Sequence, residues 1–63
     1  MLIRRPNSFT GKINEMEVNC TQEELQRWRD GALVQDAMPN ATATQREFMI
    51  TGMTEEEQAE LFG

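Results

Sequence analysis

Few side chains in this chain could do covalent or proton-transfer chemistry. There is no histidine, and the single cysteine, Cys20, therefore has no imidazole to activate it. Carboxylates do cluster, at Glu23-Glu24 and at Glu55-Glu56-Glu57. Both clusters sit where a helix would begin, and there the backbone dipole favours acids for structural reasons. Thr10-Gly11-Lys12 lacks the upstream glycine and the spacing of a phosphate-binding loop. A lone thiol among scattered acids is neither a zinc nor an iron–sulfur site. The reading is a protein with no catalytic residues, no metal and no cofactor.

Binding is the chemistry that remains. Residues 1–12 carry Arg4, Arg5 and Lys12, a net of +3. Residues 13–30 carry a net of −3 and residues 31–63 a net of −5, which gives −5 for the whole chain. Nucleic-acid binders cluster Lys and Arg to neutralise phosphates, so this balance argues against such a partner. A helix-turn-helix over 32–38 and 42–51, with Arg4, Arg5 and Lys12 as a phosphate clamp, is the form DNA binding would take. Its recognition helix, however, would hold one basic residue, Arg46.

The candidate partner-binding residues are Trp28 and the acids Glu55, Glu56, Glu57 and Glu60. The only tryptophan either caps the core beside Leu25 or anchors a partner. The acids either solvate a small domain or form a face that meets a basic protein surface, which could include mimicry of nucleic acid.

The elements that must position these groups are legible. Asn14, Met16 and Val18 alternate with Glu15 and Glu17, the period of a half-buried strand, with Ile13 as its start or a bulge. The run from Leu2 to about Arg5 would pair with it across turns at Pro6-Asn7-Ser8 and Thr10-Gly11-Lys12. Thr21-Gln22-Glu23-Glu24, Thr42-Ala43-Thr44-Gln45 and Thr54-Glu55-Glu56-Glu57 are three capping boxes, each opening a helix. Gly31 and Gly52 end the first two of these helices. Between them, Ala32 to Met38 reads as a two-turn helix with Leu33, Val34, Ala37 and Met38 as one stripe, closed by Pro39.

The fold class expected is therefore α+β: a small domain with an N-terminal β-hairpin (1–20) followed by a helical part (21–63) of about four short α-helices. The expected core is Met16, Val18, Leu25, Trp28, Leu33, Val34, Met38, Phe48, Met49, Leu61 and Phe62. A chain of 63 residues buries only about 60% of the surface its unfolded form exposes. With one cysteine it can form no internal disulfide, so packing or a partner must supply stability. The apolar runs are too short to span a membrane, and Met1-Leu2-Ile3-Arg4-Arg5 does not open a signal peptide. A cytoplasmic, reducing setting is expected.

Three stretches carry a resemblance: Asn7-Ser8-Phe9-Thr10-Gly11-Lys12, Gln35-Asp36-Ala37-Met38-Pro39-Asn40, and Arg46-Glu47-Phe48-Met49-Ile50-Thr51-Gly52-Met53-Thr54 with Glu56 and Glu57. Together they resemble a family of small uncharacterised proteins encoded by bacteriophages and seen in viral metagenomes. Gln58 departs from that pattern, standing where the family carries an aromatic residue. The resemblance implies a setting and no activity: a phage accessory protein in an infected cell. The expected function is a non-enzymatic interaction module that binds a host or phage protein. The alternatives are an acidic nucleic-acid mimic and a small DNA-binding regulator, with a homodimer as the plainest outcome.

Overall fold

The alternation read from Asn14 to Val18 produces the expected hairpin. In the computed structural model, which describes residues 1–62 (Phe62 by its backbone alone), β1 (Leu2–Pro6) pairs antiparallel with β2 (Ile13–Glu17). The register sets Ile3 opposite Met16 and Arg5 opposite Asn14 without interruption, so Ile13 begins the strand and there is no bulge. Successive side chains alternate between faces. Ile3, Asn14 and Val18 turn inward and are buried, while Leu2, Arg4, Ile13, Glu15 and Glu17 face solvent. The turn is closed by the Asn7 carboxamide, whose Oδ1 accepts from the Phe9 N–H (2.7 Å) and the Thr10 N–H (3.1 Å).

Among the described residues four helices follow: α1 (Gln22–Arg29), α2 (Val34–Ala37), α3 (Ala43–Thr51) and α4 (Glu55–Phe62). All three capping boxes form. Thr21 and Glu24, Thr42 and Gln45, and Thr54 and Glu57 each exchange two hydrogen bonds of 2.9–3.2 Å between side chain and backbone. Gly52 ends α3 in the left-handed conformation at φ 75°. The helix expected over 32–38 is shortened to a single turn. Leu33 stays extended (φ −62°, ψ 142°) and offers no side-chain cap, and Met38 is pushed from helical geometry by Pro39.

That shortening corrects the expected core. Leu33 is the N-cap, so its carbonyl still accepts from the Ala37 N–H at 2.9 Å, but its extended backbone takes the side chain off the stripe and leaves it 63% exposed. Leu61 is also exposed, and Trp28 and Met16 are only half-buried against the core. Phe62, expected inside, lies outside the described side chains. The buried apolar set is Ile3, Val18, Leu25, Val34, Ala37, Met38, Ala41, Phe48, Met49 and Met53. Helix α3 is its centre: it packs on both strands, on α2 and on α4, whereas α1 packs on α2 and reaches the hairpin through its side chains.

Candidate interaction surface

The candidate surface is built where α3 turns into α4 beneath the hairpin. Gly52 makes the corner possible, because a Cβ there would lie 1.9 Å from the Pro6 carbonyl oxygen. The close approach lets Ser8 donate from its N–H (2.8 Å) and its hydroxyl (3.0 Å) to the Thr51 carbonyl. It also lets the buried Asn14 Nδ2 donate to the Gly52 carbonyl at 2.8 Å and to Glu57 Oε1 at 2.7 Å. Asn14 is thus a polar residue on the inward face of a strand, and its partners lie 38 and 43 residues away. Burial of its amide is tolerable because both bonds are made.

Glu57 closes this junction. Its carboxylate accepts the Thr54 N–H and the Asn14 amide at once. The Thr54 N–H holds the carboxyl below the usual carboxylate range, and the Asn7, Asn14 and Thr54 side chains add to that. Partial desolvation opposes them without reversing the direction. Gln58, at the position where an aromatic was expected from the resemblance, donates through Nε2 to the Thr44 and Met53 carbonyls (3.1 and 3.0 Å). It clamps α4 to the start of α3 and to the preceding connection.

These bonds leave a groove of about 240 Å³ lined by Asn7, Phe9, Thr10, Met53, Glu57, Glu60 and Leu61. Met53 is buried, whereas Phe9 is 70% and Leu61 54% exposed. A second groove across α4 is lined by Lys12, Thr54, Glu55, Glu56, Glu57 and Ala59. Lys12 therefore stands on the same side as the acidic first turn of α4.

Four of the five candidate residues share α4, and Trp28 stands apart from them. Glu55, Glu56 and Glu60 are exposed on α4, Glu57 is half-buried and occupied within the fold, and Trp28 sits on α1, which does not pack on α4. The Arg5 guanidinium lies 5.1 Å from the Trp28 ring centroid, a cation–π stack on the inner side of the hairpin. Arg4 is on the outer side, 3.7 Å from Glu15. The phosphate clamp expected from Arg4, Arg5 and Lys12 is thereby divided among three places, because neighbours in a strand face opposite ways. Cys20 is half-buried, and burial pushes its thiol up, with Glu24 and Glu17 adding to that and the N-terminal ammonium opposing it.

Sequence reading did not single out Phe9, Asn7, Asn14 or Met53 as parts of this surface. Asn14 carried a signal, since it is an amide in phase with Met16 and Val18. Among the described residues no group of three or more His, Cys, Asp or Glu is placed to hold a metal ion. No helix there is long and apolar enough to cross a membrane. The fold defines a small α+β domain; no family model, curated protein or solved structure matches it.

Proposed function

We propose that this protein is a non-enzymatic interaction module whose binding face is the α4–hairpin groove. In the phage setting that the resemblance implies, it is an accessory factor acting on a host protein. The observation that carries the reading is the exposure of Phe9 and Leu61 in the lining of one groove that also holds Glu57 and Glu60. Large apolar side chains beside polar rims are the usual composition of a protein-binding patch. Core closure does not require them, since ten apolar side chains are buried without them.

The exposed Glu55, Glu56 and Glu60 favour a second reading, an acidic mimic that occupies a nucleic-acid groove on an enzyme. The separation of Arg4 from Arg5 weighs against the DNA-binding regulator. The experiment is a tagged pull-down from bacterial lysate, washed at low and at high salt and read by mass spectrometry. The module reading expects one stoichiometric protein that survives both washes and is lost with Phe9→Ser. A nucleic-acid enzyme released only at high salt would favour the mimic, because charge-driven binding is screened. Recovery of nothing, with light scattering showing a dimer at micromolar concentration, would replace both with a homodimer.

A further inference from the structure

The groove between the hairpin turn and α4 is lined by three apolar side chains, two acids and the neutral polar Asn7 and Thr10. Of the apolar three, Met53 is buried and Phe9 and Leu61 are exposed, and the acids Glu57 and Glu60 have no cation among the lining residues. Glu57 is already shared between Thr54 and Asn14, whereas Glu60 makes no ion pair among the described residues. A ligand entering here meets one uncompensated carboxylate next to an apolar slot.

We propose that the groove takes a segment of a partner polypeptide that presents a large apolar side chain next to a lysine or arginine. The apolar side chain seats between Phe9 and Leu61 over Met53, and the cation meets Glu60. This rests on the reading of the face as a protein-binding surface and adds the chemistry of what it binds. Charge complementarity selects this occupant. A second copy would bring the same two carboxylates, and a net charge of −5, against the groove. A copy docked instead through its exposed Arg27 and Arg29, beside Trp28, would be a dimer, and light scattering that showed one at the concentration of the binding assay would overturn the proposal. Nucleic acid would bring phosphates against the same carboxylates.

The test uses the full chain and three fluorescein-labelled peptides: one of alternating Leu and Arg, one with Arg replaced by Glu, and one with Leu replaced by Ser. Anisotropy at 50 and 500 mM NaCl and amide shift mapping read the binding. The Leu/Arg peptide should bind at least tenfold more tightly than either control, with shifts confined to Asn7–Thr10 and Glu57–Leu61. Phe9→Ser should weaken it about ten- to a hundredfold, the loss expected for one large apolar contact. Glu60→Lys should weaken it about tenfold at 50 mM salt and much less at 500 mM. Both side chains are exposed, so circular dichroism should show the fold retained; Leu33→Ser and Ile50→Ser, also exposed, should leave binding unchanged.

Equal binding of the Ser peptide, shifts centred on Leu33 and Ile50, no effect of Phe9→Ser, or no binding would each overturn the proposal. A lysate partner lost with Leu33→Ser but kept with Phe9→Ser would leave the interaction module standing and remove this groove. The absence of any partner would remove the module itself.

Discussion

At the scale of single residues, Glu57 and Gly52 hold the candidate surface in shape. Glu57 is a capping residue and the acceptor of a hydrogen bond from strand β2 at once, and its carboxyl titrates below the usual range. The stability it contributes is therefore present above pH about 4.5, its unperturbed value, and is lost as pH falls through the lowered folded value. Glu57→Gln should be less stable than wild type at pH 7, with the difference closing towards pH 3; urea unfolding across that range measures it. Gly52→Ala combines a left-handed backbone with a Cβ driven onto Pro6 backbone atoms, which cannot rotate away. The expected cost is roughly 2–5 kcal/mol. Gly31→Ala, at φ 108° but with open space around it, should cost only about 1–2 kcal/mol in the same urea assay.

At the scale of elements, three helices are self-announcing and one is not. Removing a threonine cap typically costs about 1 kcal/mol. Where that cost is felt depends on what the helix touches. The backbone of α1 packs on α2, with Trp28 on Arg5 as its side-chain link to the hairpin, so Thr21→Ala should speed hydrogen exchange at Leu25–Arg29 and spare Phe48 and Met49. Helix α3 packs on both strands, α2 and α4, so Thr42→Ala should speed exchange throughout the domain. Gln45 strengthens that contrast: its Oε1 also accepts the Asn19 N–H at 3.0 Å, tying the end of the hairpin to the start of α3. Helix α2 has no box, and one turn is all that packing of Val34, Ala37 and Met38 supports.

At the scale of the molecule, the core is small and centred on Phe48, which is fully buried. A domain of this length rarely has more than about 3–5 kcal/mol in hand. Truncating a buried phenylalanine to alanine costs about 3–5 kcal/mol. Phe48→Ala should therefore abolish the cooperative thermal transition at neutral pH. Charge is distributed so that Lys12 lines the same groove as the acidic first turn of α4 and Arg4 lies beside Glu15, whereas Glu60 has no cation beside it in either place. The exposed apolar residues Leu2, Phe9, Ile13, Leu33, Ile50 and Leu61 are spread over several elements. Among them Phe9 and Leu61 line one groove together, and that is why the proposed binding face is placed there.

Everything set by residues up to four apart was readable in the chain: the inward phase of Asn14, Met16 and Val18, the three Thr-x-x-Glu/Gln boxes, and the stops at Gly31 and Gly52. Such features arise from backbone hydrogen bonds and side-chain periodicity that act within one turn or one strand. The length of α2 was not readable, nor was the exposure of Leu33 and Leu61, the burial of Ile3 and Met53, or the role of Glu57. A short helix can bury any of several faces, and the surface it meets decides which. Glu57 read as the last residue of a capping box and an acid of α4, and its second role was hidden because its partner Asn14 is 43 residues away. Gly52 looked like an ordinary helix stop because the Pro6 backbone that forbids a side chain there comes from the opposite end of the chain. Local spacing wrote the elements; only the surfaces of distant segments, brought within bonding distance, decided which side chains were left to bind.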